Sequence, residues 1–77
     1  MNGLPKVDMV QTGKRITELR RENNMTVKDL QELFRFNTPQ AIYKWMRGET
    51  IPTVDNLVIL ADAFNVSIAD IVVVTRA

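Results

Sequence analysis

A series of helix-start signals divides this chain into short segments, and it constrains the fold more than any other feature. A Ser, Thr or Asp ahead of an apolar stripe satisfies free N–H groups at the start of a helix, and an acid or amide three residues later strengthens the signal. The predicted starts are Asp8 with Gln11 (Thr12 is an alternative), Thr26 with Asp29, Thr38 followed by Pro39, Thr53, and Ser67 with Asp70. Helices this short must pack against one another to be stable.

Apolar residues recur at three- and four-residue spacing after these starts, as on one face of a helix. The predicted core stripes are Met9, Ile16 and Leu19; Leu30, Leu33 and Phe34; Ile42, Trp45 and Met46; and Val54, Leu57, Val58, Leu60, Ala61 and Phe64, which predict the most buried helix. Only the β-branched tail at residues 71–74 departs from this period. The tail finishes a helix, pairs as a strand or covers a partner. The sequence therefore predicts an all-α fold.

Length and composition limit the chemistry of such a domain. The 77 residues predict one small domain at 8–77, preceded by a flexible N-terminal arm at 1–7 that contains Gly3 and Pro5. The chain has no His and no Cys, which excludes Cys/His metal sites, disulfides, thiol nucleophiles and His-dependent catalysis. We expect no enzyme activity, no cofactor and no metal.

The sequence also contains no membrane or targeting signal. No apolar run approaches the roughly 18 residues that a membrane span needs, and the N-terminus lacks an apolar signal-peptide core. We therefore expect a cytoplasmic protein with no membrane partner. The short length also predicts that there is no small-molecule effector domain.

The most informative part of the sequence is a pair of short predicted helices, 26–34 and 38–46, joined by a three-residue turn. Such helices must cross steeply, as in a helix-turn-helix. In the second helix Ile42 and Trp45 face inward, which leaves for solvent or a partner Gln40, Ala41, Tyr43, Lys44 and Arg47. A glutamine amide can bond two edges of adenine, a small residue lets a helix approach the groove floor, and a lysine reaches guanine or phosphate. This surface favours DNA binding.

A longer pattern runs in order through about 65 of the 77 residues. It consists of Gly13-Lys14-Arg15-Ile16, Leu19-Arg20, Met25-Thr26, Leu30, Leu33, Ala41-Ile42, Lys44-Trp45, Arg47-Gly48, Pro52-Thr53, Asn56-Leu57, Leu60-Ala61, Phe64 and Val66-Ser67-Ile68. In this pattern the chain resembles the phage Cro and repressor type of helix-turn-helix protein, the XRE-like family. The resemblance implies a five-helix, lambda-repressor-like DNA-binding domain whose third helix enters the major groove.

The resemblance also implies which residues contact double-stranded DNA. Base contact is implied for Pro39, Gln40, Ala41, Tyr43 and Lys44, and phosphate contact for Thr26, Val27, Lys28, Thr38, Arg47 and Thr53. Four residues depart from the family pattern. Val27 replaces a glutamine that touches phosphate, Arg35 replaces a turn glycine, Met46 replaces a glutamate that pairs with the arginine matched by Arg20, and Glu49 places an acid in a loop that approaches the DNA backbone.

Two functions fit these features. The first is a sequence-specific transcriptional regulator, a repressor that acts as a homodimer on an operator. Its dimer interface is expected in the apolar tail, at Ile68, Val72, Val73 and Val74. The alternative is a protein-interaction module of the same fold, such as an antirepressor, an antitoxin-like partner or an accessory factor. The changes at Val27 and Glu49 favour the alternative, and the tail fits both.

The net charge of +1 is low for a DNA-binding domain, but it averages two unlike parts. Residues 14–47 contain eight Lys and Arg against four Asp and Glu, a net charge of +4. Residues 48–77 contain one Arg against four acids, a net charge of −3. Because the basic part coincides with the helix pair, the sequence predicts a polarised surface that faces DNA. The excess is modest, so tight binding is expected to need a second subunit.

Overall fold

The fold consists of four α-helices, one turn of 3-10 helix and a two-stranded sheet, in a computed structural model that describes residues 3–76. In chain order the elements are β1 (Pro5–Val7), α1 (Met9–Glu22), α2 (Val27–Phe34), α3 (Gln40–Arg47), α4 (Val54–Phe64), the 3-10 turn (Ile68–Asp70) and β2 (Val74–Arg76). The all-α, five-helix prediction needs correction in two places. The expected fifth helix is a single 3-10 turn, and β1 and β2 pair with each other.

Capping side chains confirm the predicted helix starts at four of the five positions. The observed caps are Asp8 to the Gln11 N–H at 3.0 Å, Thr53 to the Asn56 N–H at 3.2 Å, and complete capping boxes at Thr26 with Asp29 and at Ser67 with Asp70. The prediction that Thr38 caps the third helix is wrong. Pro39 is the cap residue, because its carbonyl accepts the first helical bond, from the Tyr43 N–H at 3.1 Å. Its side chain makes no capping bond.

The capping boxes also keep two carboxyl groups ionised. The backbone N–H of Thr26 donates to Asp29 at 2.7 Å, and that of Ser67 donates to Asp70 at 3.0 Å. These backbone bonds, followed by the bonds to the Thr26 and Ser67 side chains, lower the pKa of both carboxyl groups. Each carboxylate therefore stabilises the folded state at neutral pH. That contribution is lost as the pH falls below the ordinary value of 3.8 and through the lowered pKa.

The core combines one stripe from each helix with the start of the tail. Its buried apolar residues are Ile16, Leu19, Leu30, Ile42, Trp45, Leu57, Leu60, Ala61, Phe64 and Ile71. Four predicted core residues are instead exposed, namely Met9, Leu33, Val54 and Val58. Val54, in the first turn of α4, is 71% exposed because α4 packs through the stripe that begins at Leu57. The other predicted core positions are buried or packed half-buried against the core.

Both ends of the described chain are bonded to each other and to α1. At the N-terminal end, the sequence predicted a flexible arm over residues 1–7. β1 pairs antiparallel with β2, with Val7 opposite Val74, so the strand alternative for the tail is the observed one. The fully buried Thr12 hydroxyl accepts the Val73 N–H at 2.9 Å, and the Asp8 N–H donates to the Val73 carbonyl at 2.8 Å. The part of the predicted arm and domain at residues 1, 2 and 77 lies outside the described residues.

α1 lies directly against the C-terminal end of α3, and the contact depends on a glycine. A Cβ on Gly13 would lie 2.4 Å from the carbonyl oxygen of Trp45 and 2.6 Å from that of Met46. Because both neighbours are backbone atoms, no change of side-chain rotamer relieves such a clash. Gly13 thereby determines how closely α3 is held to the rest of the domain.

We expect Gly13→Ala to destabilise the domain by about 1–3 kcal/mol through overpacking. In a helix without this contact the same change stabilises by up to about 1 kcal/mol, so the sign of the effect reports the contact. Urea unfolding followed by circular dichroism measures it. Lys14→Ala, at the exposed neighbouring position, is the control and should change stability by less than about 0.5 kcal/mol. A more stable Gly13→Ala variant would contradict the packing.

Candidate nucleic-acid interface

The connection between α2 and α3 spans residues 35–39 and begins with a left-handed residue. Arg35 closes α2 at φ 57° and ψ 37°, in the conformation that favours glycine. The Phe36 N–H donates to the Gln31 carbonyl at 3.0 Å, and the Gln31 side-chain amide donates to the Phe36 carbonyl at 3.2 Å. Counted up to the cap of α3, the turn is one residue longer than the predicted three, because the cap lies at Pro39 and not at Thr38. The turn is closed without a glycine.

Three aromatic rings hold the two helices of this motif together. Phe34 at the end of α2 stacks on Phe36 of the turn with ring centroids 5.1 Å apart. Both rings meet Trp45 of α3 edge-on, at 5.4 and 5.9 Å. Trp45 is buried, as the sequence predicted, whereas the packing role of Phe36 was missed. The cluster fixes the orientation of α3 relative to α2, because offset and edge-on ring contacts are directional.

α3 presents a polar face opposite its buried stripe. Gln40, Tyr43, Lys44 and Arg47 are exposed and recur at three- and four-residue spacing, so they lie on one side of the helix. Ala41 and Pro39 are half-buried beside this face. Of the five residues predicted to contact bases, Gln40, Tyr43 and Lys44 are therefore exposed on this face. The fold thus brings an amide, a phenol and two cations together on one helix surface.

Several residues predicted to contact phosphate are exposed near helix starts. Thr26 and Lys28 lie at the start of α2, Thr38 lies in the turn, and Thr53 caps α4. The Thr26 and Thr53 hydroxyls each accept a backbone N–H bond from their own helix. The Thr26 hydroxyl also bonds to the Asp29 carboxyl group, so of the two it is the Thr53 hydroxyl that keeps its proton for another acceptor. Val27 differs, because its side chain packs half-buried against the core. Its backbone N–H, in the first turn of α2, is one of the N–H groups that have no partner within the helix.

Two arginines near α3 have partners that the sequence did not predict. Arg47 forms an ion pair with Glu49, in which Nε donates to the carboxylate. Arg20 donates from Nη1 to the Met25 carbonyl at 2.9 Å, while its buried Nε has no hydrogen-bond partner within residues 3–76. The carbonyl therefore serves in place of the acid that the family pattern implies. In the sequence, the one signal for the Arg47–Glu49 pair is Gly48, a helix-ending residue that lies between the two.

A shallow groove between α1 and Met46 of α3 carries charged side chains. Its lining residues are Lys14, Thr17, Glu18 and Arg21 of α1 and Met46 of α3. Glu18 is paired with Arg15 at 3.2 Å, so Lys14 and Arg21 provide the net positive charge of the groove.

The four residues predicted as a dimer interface are not equally accessible. Ile68 and Val72 are half-buried against the core, Val73 is half-buried, and Val74 is 57% exposed. Strand pairing adds exposed apolar side chains that the sequence reasoning missed, at Val7 opposite Val74 and at Leu4 just before β1. The accessible apolar side chains at this end are therefore Val7 and Val74, which lie opposite each other, and Leu4 just before β1.

Two features are absent from residues 3–76. No helix there is both long and apolar enough to cross a membrane. In the same range, no three His, Cys, Asp or Glu residues are grouped so that they could hold a metal ion.

A family model for helix-turn-helix domains of the XRE type matches residues 16–71, about three quarters of the chain. The match confirms the resemblance inferred from the sequence. It spans the second half of α1, all of α2, α3 and α4, and the 3-10 turn, and it leaves out β1 and β2. No curated protein and no solved structure matches the chain.

The left-handed residue in the turn predicts that Arg35→Gly stabilises the domain by about 0.5–1 kcal/mol, since glycine adopts this conformation without a steric cost. Urea unfolding measures the difference. Arg21→Gly is the matched control, because the same change inside α1 should destabilise by about 1 kcal/mol. A destabilised Arg35→Gly variant would show that the Arg35 side chain, and not the backbone angle, decides the stability of the turn.

Proposed function

We propose that this chain, which belongs to the XRE-type family of helix-turn-helix proteins, is a sequence-specific DNA-binding regulator that acts as a homodimeric repressor on an operator. The observation that carries the proposal is the polar face of α3, where exposed Gln40, Tyr43, Lys44 and Arg47 lie together. The family consists of DNA-binding regulatory domains. The repressor and homodimer parts of the proposal go beyond the family match.

In this proposal α3 enters the major groove and reads base edges. The Gln40 amide, at the first residue of α3, donates to N7 and accepts from the N6 amino group of an adenine. Lys44, one turn later on the same face, reaches a guanine edge or a phosphate. Tyr43 contributes its ring and hydroxyl, Ala41 permits close approach, and Pro39 packs against a thymine methyl.

Groups around α3 hold the flanking phosphates. Thr53 donates its hydroxyl proton, Thr26 lies against a phosphate at the start of α2, Val27 offers its backbone N–H, and Lys28 adds a charge. Thr38 lies exposed in the turn, where its hydroxyl is free to donate in the same way. These contacts set the position of α3 in the groove and add affinity for any sequence. Specificity then rests on Gln40 and Lys44.

A second subunit would provide the second half-site. Exposed Val7 and Val74 lie opposite each other on a two-stranded ribbon whose outer edges have no partner strand within the described chain, and Leu4 is exposed just before it. Such edges and apolar side chains favour association with another copy. Two copies would read half-sites about one helical turn, roughly 34–36 Å, apart.

The alternative proposal is a protein-interaction module of the same fold. It is favoured by a different observation, the exposure of 71% at Val54 and 52% at Val58 on α4, together with the Arg47–Glu49 pair that neutralises one cation of α3. In this alternative the apolar side of α4 binds a partner protein.

Gel-shift titration at a stated salt concentration, with genomic fragments that flank the gene of this protein, separates the two proposals. A fragment that binds at least ten times more tightly than random duplex DNA supports the regulator. If every fragment binds like random DNA, the protein-interaction module takes its place.

On a fragment selected in this way, Gln40→Ala should lose about 1–3 kcal/mol of discrimination against random DNA, because the amide reads a base. Lys44→Ala should weaken binding, and the slope of log K against log salt should fall by about one if its contact is a phosphate. Gln11→Ala, at an exposed position of α1, is the matched control. Unchanged binding in both α3 variants would show that α3 is not the reading helix.

Val74→Asp tests the dimer, because Val74 is exposed and its change leaves the core intact. We expect sedimentation to show a shift from dimer to monomer. Val58→Asp, the same change at an exposed position of α4, should leave the dimer in place. If Val74→Asp remains as associated as the unchanged protein, the ribbon is not the interface.

A further inference from the structure

One of the cations of α3 is paired with an acid that lies just beyond the helix. Arg47, the last residue of α3, donates from Nε to the carboxylate of Glu49. The two side chains remain 60% and 49% exposed, so the pair lies at the surface and not in the core. Lys44 and Arg47 are the two cations of α3. One of them is therefore occupied by a carboxylate of the same chain.

The backbone holds Glu49 in this position. Gly48 ends α3 in the left-handed conformation at φ 77°, and its N–H donates to the Trp45 carbonyl at 3.1 Å. The Glu49 N–H donates to the Lys44 carbonyl at 2.9 Å. A Cβ on Gly48 would lie 2.7 Å from the Val10 Cα, so this glycine is packed against α1. Glu49 is thus tied to the last turn of α3 even though it lies beyond the helix.

A carboxylate and a phosphate make the same demand on a guanidinium group. Both present two oxygens to its planar set of N–H donors, and both bind it best in paired, bidentate geometry. When Nε of Arg47 is bonded to Glu49, that donor is not available to a DNA phosphate. The negative charge of Glu49 also repels the backbone that α3 has to approach.

We propose that Glu49 is an intramolecular competitor for the phosphate that Arg47 binds, and that it lowers the affinity of this domain for DNA of any sequence. The inference rests on the proposed DNA-binding function. In the free protein the carboxylate occupies Arg47, and on binding a phosphate displaces it. Because the exchange involves no base, it lowers specific and non-specific affinity by the same factor. It thereby increases the dependence of operator binding on a second subunit.

The exchange also predicts a salt effect. A contact between Arg47 and phosphate releases a counterion from DNA, whereas the displaced Glu49 takes up a cation near the negative backbone. Without the acid, this uptake disappears. The slope of log K against log salt should therefore become steeper by about one in Glu49→Gln.

Binding of Glu49→Gln to a random duplex of fixed length, measured by fluorescence anisotropy at three salt concentrations, tests the proposal. We expect the variant to bind about three to ten times more tightly than the unchanged protein at low salt. Asp62→Asn is the matched control, since it removes the same charge from an exposed position on α4 and should change the affinity less than about twofold. Circular dichroism checks that each variant is folded.

A second pair of variants shows whether Glu49 acts through Arg47. In the Arg47→Gln background, addition of Glu49→Gln should give less than half of the gain, in logarithmic units, that it gives alone. The proposal is overturned if Glu49→Gln binds random duplex no more tightly than the unchanged protein, including the case in which neither binds. It is also overturned if Asp62→Asn gives an equal gain or if the full gain persists without Arg47.

The same titrations separate this inference from the proposed function. A gain on random duplex, with no genomic fragment preferred over random DNA, supports the role of Glu49 and rejects the sequence-specific regulator. Fragment-specific binding without a gain in Glu49→Gln leaves the regulator in place and rejects the competitor.

Discussion

The contact between Gly13 and the last carbonyl groups of α3 is the constraint on which the rest of the structure depends. Only a residue without a side chain lets α1 lie against the Trp45 and Met46 carbonyl oxygens. Gly48 makes the reciprocal close approach to Val10 of α1. Between these two points α3 is held by its backbone, so its side chains on the opposite face are free for recognition. A rigid helix that carries exposed polar groups is the arrangement that readout of a groove requires.

Aromatic packing stabilises the turn between α2 and α3, in which the family pattern has a glycine. Arg35 takes the left-handed conformation at the end of α2 at a steric cost, and the contacts of Phe34 and Phe36 with Trp45 offset that cost. The departure at Arg35 therefore changes the stability of the turn without removing the crossing of α2 and α3. A substitution that looks disruptive in isolation is compensated by a neighbour.

The electrostatics of the surface follow from local pairing more than from net charge. The basic excess of residues 14–47 predicted a polarised face, and Lys44 is exposed on α3 while Lys14 and Arg21 line a groove of α1. The Arg47–Glu49 pair reduces the charge of this face at the end of α3. Two acids that hold helix starts, Asp29 and Asp70, have their charge already engaged by backbone N–H groups. A charge count over a segment does not show which of its charges are free to meet a partner.

The sequence by itself determined where most helices begin, because a cap and its partner are three residues apart and their bond needs no distant part of the chain. It also determined the amphipathic division of α3, since burial of Ile42 and Trp45 leaves Gln40 and Lys44 outside. The tertiary structure decided the exposure of Leu33 and Val54, because a stripe is buried only where another element covers it. It also decided the pairing of β1 with β2, and the bond from the Val73 N–H to the Thr12 hydroxyl 61 residues away. The tertiary structure also decided the partners of Arg20 and Arg47. Each partner, the Met25 carbonyl and the Glu49 carboxylate, lies beyond the end of the helix that carries the arginine, so its position depends on how the chain turns there.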